Sequence, residues 1–173
     1  MVKIRKLKKS DGKKIVCWRN DDRVRFNLLN QDLITIEQQN NYYENYIKTK
    51  RIHQFVIVYN GLDCGTTFLK NLDPVKKDVE FGIFVGEKSA IGHNVSYDAT
   101  LLTIDYAFRS LPIESIYLFV LDDNVIAKGL YNKIGFTNQD VVVLETSSGL
   151  KRKAYRMVFN KNQIGRYIQF ISK

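Results

Sequence analysis

The run from Asn124 to Phe136, reading Asn-Val-Ile-Ala-Lys-Gly-Leu-Tyr-Asn-Lys-Ile-Gly-Phe, specifies a helix, the way into it and the way out. A short polar side chain ahead of Val125-Ile126-Ala127 is what a helix N-cap requires, because its oxygen can accept from a first-turn amide. Ile126, Leu130 and Ile134 recur at four-residue spacing and predict a core face. Tyr131 lies two turns beyond Asn124, so the spacing predicts that both side chains project to one side. Gly135-Phe136 then leads into a strand.

The elements on either side follow a readable order. Val2 to Leu7 alternates apolar and basic residues and predicts an edge strand, after which Ser10-Asp11 caps a helix carrying Ile15, Val16 and Trp18. Thr35-x-x-Gln38 is a capping-box pattern that opens a helix to about Thr49, with Ile36, Tyr43 and Ile47 on one face. Strands are predicted at Gln54 to Tyr59, Cys64 to Leu69 and Asp78 to Val85, with Asn60-Gly61 as a hairpin turn. A loop from Gly86 to Val95 precedes a helix from about Ser96 to Arg109, and Ser115 to Val120 reads as a buried strand. Phe136 to Glu145 and Ala154 to Phe159 pair around Ser147-Ser-Gly149, and Gln163 to Ile171 forms a short terminal helix. This order describes an α/β domain with a mixed, mostly antiparallel sheet of about seven strands flanked by about four helices.

A chain of 173 residues with 45% hydrophobic content fits a single domain. No apolar run reaches the roughly 18 residues of a membrane span, which leads us to expect a cytoplasmic protein with no membrane partner. Cys17 and Cys64 have no metal-like spacing and are expected as buried free thiols; no metal site is expected. The formal charge of +9 is concentrated at the ends, with seven Lys or Arg against Asp11 in residues 1–14. Basic ends can attract a phosphate-rich partner, but no recognition-helix, zinc or RNA-binding-sheet signature accompanies them, so nucleic acid is not expected.

The Asn124–Phe136 run matches the pattern N-x-x-A-x-x-L-Y-x-K-x-G-F and resembles the closing segment of the GNAT acetyltransferases. The strand-helix order resembles that fold along essentially the whole chain. The resemblance implies acetyl coenzyme A as cofactor, and it implies that Tyr131 protonates the departing thiolate, with Asn124 and Ala127 beside the cofactor. A phenol with an ordinary pKa of about 10 is protonated at neutral pH and can donate without special tuning. In this family a Q/R-x-x-G-x-G/A loop before a helix cradles the coenzyme phosphates, and it aligns here with Ile91-Gly92-His93-Asn94-Val95-Ser96. The departures are Ile91, Asn94 and Ser96, of which Asn94 tolerates left-handed backbone angles and Ser96 is small.

Val79 to Gly86 resembles the family's active-centre strand. Its Ile83, Phe84 and Val85 are implied cofactor contacts and Glu80 a candidate base, the alternative being an outward, solvated glutamate. Trp18-Arg19-Asn20-Asp21-Asp22-Arg23-Val24-Arg25, together with Tyr43, resembles the acceptor side of one branch of the family. In that branch Arg19 or Arg25 would hold the diphosphate of a sugar nucleotide, with Asn20 and Tyr43 beside it. Alternatively Arg19 pairs with Asp21 or Asp22 and pins the loop. The activity implied is transfer of acetyl to a primary amine, foremost a 4-amino deoxysugar on a nucleotide diphosphate. Ribosomal-type N-terminal acetylation and a non-catalytic coenzyme A binder are the other readings. A homodimer is compatible with the resemblance.

Overall fold

The computed structural model describes residues 1–146 and 149–167. Its strands are β1 (Val2–Lys6), β2 (His53–Tyr59), β3 (Leu62–Asp73), β4 (Asp78–Val85), β5 (Ser115–Leu121), β6 (Thr137–Glu145) and β7 (Lys151–Asn160). The helices are α1 (Gly12–Asn20), the single turn α2 (Asp22–Arg25), α3 (Ile36–Tyr42), α4 (Val95–Ser110) and α5 (Val125–Ile134). Short 3-10 and π turns supplement them, so the described residues hold more helical segments than the four expected. The seven strands form one sheet in the order β1-β2-β3-β4-β5-β7-β6, in which only β4 and β5 run parallel.

The predicted hairpin turn is present, with both Asn60 and Gly61 at positive φ, 49° and 85°, as a tight two-residue connection requires. The capping box is present as well: Gln38 N–H donates to Thr35 Oγ1 and Thr35 N–H to Gln38 Oε1. That helix changes to a π turn over Tyr43–Ile47, where Tyr43 and Ile47 still pack against Leu7, Ile15, Trp18 and Val56. Asp11 does not cap α1 with its side chain. Its carboxylate takes Arg5 Nη1 and Nη2 at 2.8 and 2.9 Å and the Lys8 amide at 2.8 Å, so the sequence signal there reports an ion pair. Where the terminal helix is expected there is a 3-10 turn, Lys161–Arg166; residues 168–171 of that expectation and Ser147-Ser148 of the last hairpin lie outside the described residues.

Two cores sandwich the sheet. On one face Val79, Phe81, Ile116, Leu118, Met157 and Phe159 pack against α4 and α5. On the other, Val56 packs with Trp18 and Ile15 of α1, and Phe84 joins them. Consecutive side chains of β4 therefore address opposite layers, as the two-residue period of a strand demands. Cys64 is buried as expected, but Cys17 is exposed. The buried positions of α1 are Gly12, Ile15 and Trp18, and Cys17 falls on the opposite side of the helix. Among the described residues, no helix is long and apolar enough to cross a membrane.

Candidate active site

The parallel ladder between β4 and β5 stops early. Three residue pairs, Asp78 with Ser115, Val79 with Ile116 and Glu80 with Tyr117, are in register. Beyond them β4 stays bonded to β3 as far as Val85, and β5 stays bonded to β7 as far as Leu121. Each strand thus follows its outer neighbour, and the two inner edges separate with their backbone groups unpaired to each other. Open backbone of this kind needs polar partners. A cavity of about 430 Å³ occupies the gap, with walls that include Glu80, Ile83, Phe84 and Val85 of β4 and Phe119 to Leu121 of β5.

The α5 helix closes one side. Asn124 caps it as expected, its Oδ1 accepting the Ala127 amide at 3.1 Å. Gly135 ends it at φ 105°, and the Phe136 amide reaches back to the Tyr131 carbonyl at 2.9 Å, a Schellman closure that only a residue tolerant of positive φ allows. Between these two ends the helix is rotated from the predicted face. Ile126 is 89% exposed, whereas Tyr131 and Ile134 are buried. Ile126, Ala127, Leu130 and Tyr131 all line the cavity, together with Asn124.

Tyr131 is the most constrained of these side chains. Its ring meets Phe81 and Phe136 edge-on, with centroids 6.4 and 5.7 Å apart. Among the described residues no group hydrogen-bonds its hydroxyl. Burial pushes the phenol well above its ordinary pKa, so it remains protonated at any neutral pH. The residue lines the gap, held by its ring contacts and with its hydroxyl uncommitted among the described residues.

Glu80 also lines the cavity, on the face toward α1–α3. Both of its oxygens are engaged: Oε1 stands 3.1 Å from the Lys70 ammonium, and Oε2 accepts the Asn71 amide at 2.8 Å. Asn71 adopts φ 53° within an irregularity of the β3–β4 register between Lys70 and Asp73, which turns its side chain toward Glu80. Tyr42 and Tyr117 lie close by. Burial first, and then the charge of Glu80 among others, pushes each phenol up to about 12. At this end of the cavity the charged lining residues are Glu80, its partner Lys70 and Arg23, with Phe68 beside them.

The loop before α4 meets the requirements for an anion site through its backbone. Gly92 and Asn94 take positive φ, 85° and 57°, and a Cβ on Gly92 would meet nothing within 4 Å. The first helical hydrogen bond runs from the Asp98 amide to the Asn94 carbonyl at 3.0 Å, which leaves the preceding amides without helical partners. Asn94 therefore does in this loop what a glycine would do, and the residues present fit coenzyme A. Of the six aligned positions, Ser96 lines the cavity. Val95 is core, packed with Ile57, Cys64, Ala90 and Ala99. Ile91 is 58% exposed, and His93 stacks on the Tyr59 ring with centroids 5.5 Å apart.

The four acceptor-side candidates lie elsewhere. Arg19 donates to the Asn30 carbonyl, and burial lowers its pKa. Asn20 bonds the backbone of Ile34 twice, at 2.8 and 2.9 Å. Arg25 bonds Asp22 Oδ1 at 2.6 Å and the Gln31 carbonyl at 3.1 Å. All three hold the 26–34 loop in place and do not line the cavity. Tyr43 faces a separate cavity of about 320 Å³ with His53 and Tyr106. What does reach the main cavity from this region is Arg23, Val24, Asn27, Leu28 and Leu29, along with Phe68 and Lys70 of β3. Arg23 and Val24 fall within the same motif; nothing in the sequence pattern marked Asn27, Leu28, Leu29 or Lys70 as cavity residues.

Comparison with known proteins agrees with this geometry. The Acetyltransferase (GNAT) domain matches residues 2–137. Spermidine N(1)-acetyltransferase of Escherichia coli K12 is 25% identical over 163 residues, covering 94% of this chain and 87% of that protein. Among solved structures, a spermidine N-acetyltransferase from Vibrio cholerae, in complex with CoA and spermine, superposes with a TM-score of 0.84 at 21% identity, covering 94% and 97% of the two chains. An aminoglycoside acetyltransferase in complex with coenzyme A gives a TM-score of 0.79 at 17% identity, covering 96% and 98%. The separated β4 and β5, the capped α5 and the matched domain together show that this chain belongs to the GNAT acetyltransferases.

Proposed function

We propose that the protein transfers acetyl from acetyl coenzyme A to a primary amine of a polyamine, spermidine being the first to test. The observation that carries the reading is that Tyr131 and Glu80 both line one cavity between β4 and β5. The bound thioester supplies an acyl carbon open to attack by an amine. On the acceptor face Glu80 takes the proton that a primary ammonium must lose, directly or through one water. The open inner-edge amides of β4 donate to oxygen charge that develops on the carbonyl. Tyr131 donates its hydroxyl proton toward the leaving sulfur.

Two features favour a polyamine over the sugar nucleotide that the acceptor-side motif suggested. The arginines that would clasp a diphosphate, Arg19 and Arg25, are committed to loop carbonyls and to Asp22. The acid among the cavity-lining residues is Glu80, and with the Phe68 ring it already receives an ammonium, that of Lys70, so the same groups suit the end of a polyamine. The relatives named for spermidine acetylation point the same way. The test is thiol release from acetyl coenzyme A across spermidine, spermine, aminoglycosides, amino-sugar nucleotides and N-terminal peptides. Turnover fastest with a polyamine supports the reading; turnover confined to sugar nucleotides or peptides overturns it.

A further inference from the structure

The acceptor side of the cavity already holds an amine that belongs to the protein. Lys70 stands directly opposite Glu80 in the β3–β4 register, its ammonium 3.1 Å from Glu80 Oε1. The same ammonium lies 5.8 Å from the centre of the Phe68 ring. Phe68, Lys70 and Glu80 all line the cavity. The ring lies across Gly82, where a Cβ would come within 2.2 Å of it. Any side chain at position 82 would thus push the Phe68 ring out of its place beside the ammonium.

A lysine tip is a primary ammonium on a four-carbon stem, the same chemistry as the end of an aliphatic polyamine. Carboxylate and aromatic face are the groups that would receive such an end. Resting on the polyamine reading above, we infer that Lys70 occupies the place of the acceptor's ammonium and acts as a built-in competitor that sets the affinity for cationic acceptors. An incoming amine reaches Glu80 only by displacing Lys70, whose side chain is 36% exposed and has solvent to swing into. The competition is weak enough to be overcome, because a pair of this exposure contributes at most about 1 kcal/mol. It also repels cations until one displaces it. As an ordinary cross-strand ion pair, by contrast, Lys70 would affect stability slightly and the Michaelis constant not at all.

Steady-state kinetics with spermidine separate these roles. Lys70→Met keeps the stem and removes the charge; it should lower KM about fivefold, the factor that releasing such a pair allows. Lys70→Gln should lower KM in the same direction, and Lys70→Arg, which keeps a cation, should leave it near the wild-type value. Turnover in the wild type with KM unmoved or raised in both neutral variants would overturn the inference alone. No turnover of any polyamine by wild type or variants would overturn the polyamine reading and this inference with it.

Discussion

Tyr131→Phe removes one oxygen atom from the proposed chemistry and almost nothing from the fold. The ring is buried and held between Phe81 and Phe136, contacts that phenylalanine keeps. Among the described residues no hydrogen bond to the hydroxyl is lost, so the thermal midpoint should stay within a degree or two. A general acid typically contributes 10²–10⁴-fold, and the lower end applies here. The thiol that must be formed has an ordinary pKa of about 8.5, below that of a phenol, and burial raises the Tyr131 phenol further, making it a weaker acid still. A fall in kcat of about 10²-fold is expected, equal to about 2.7 kcal/mol of barrier. Thiol release followed with a thiol-reactive dye, at saturating acetyl coenzyme A and spermidine, measures it directly. A kcat within threefold of wild type, or a loss seen only in KM, would refute the assignment, because an interaction made only in the transition state must appear in kcat.

Other consequences are open to simpler assays. Acetyl coenzyme A at a hundred times its dissociation constant should stabilise the protein by about 2.7 kcal/mol, since only the folded state presents the gap; a flat melting curve would contradict the cofactor fit. Asn94→Gly should retain that shift and Asn94→Val should diminish it, because a β-branched residue resists the φ of 57° held there. Gly86→Ala should destabilise by about 1–3 kcal/mol in denaturant melts, as its Cβ would fall 2.1 Å from Trp18 Cγ. The Arg5 bond holds Asp11 below the usual carboxylate range, and against its burial Arg5 and Lys14 do the same for Asp63. Folded-state values lowered in this way add stability that is present above about pH 4 and is lost as pH falls below it. Arg5→Met should flatten that acid limb, and an unchanged limb would count against the network.

What the sequence revealed and what it concealed divide along a physical line. Local rules were sufficient where a residue's partner lies within a few positions: the Thr35 capping box, the Asn60-Gly61 turn and the Asn124 cap all depend on near neighbours. Tyr131 was singled out by the resemblance of the Asn124–Phe136 run to the family's closing segment, since helix spacing gave only the side of α5 on which it lies. The face of α5 was misjudged because Ile126 borders the cavity, and four-residue spacing cannot distinguish a core wall from a cavity wall. Arg19 and Arg25 suggested a phosphate clasp, yet their donors go to carbonyls of residues 30 and 31, which only the folded loop brings near. Lys70 and Asn71 escaped notice because their meeting with Glu80 depends on an irregular strand register that no periodicity announces. The exposure of Cys17 follows from the phase of α1, set by Ile15 and Trp18.

A crystal structure with bound coenzyme A tests most directly whether the separated strands receive the thioester beside Tyr131. The thiol should lie between β4 and β5 with its sulfur about 3–3.5 Å from Tyr131 Oη and the pyrophosphate on the amides before α4. Coenzyme A bound outside the gap, or a sulfur remote from that hydroxyl, would contradict it.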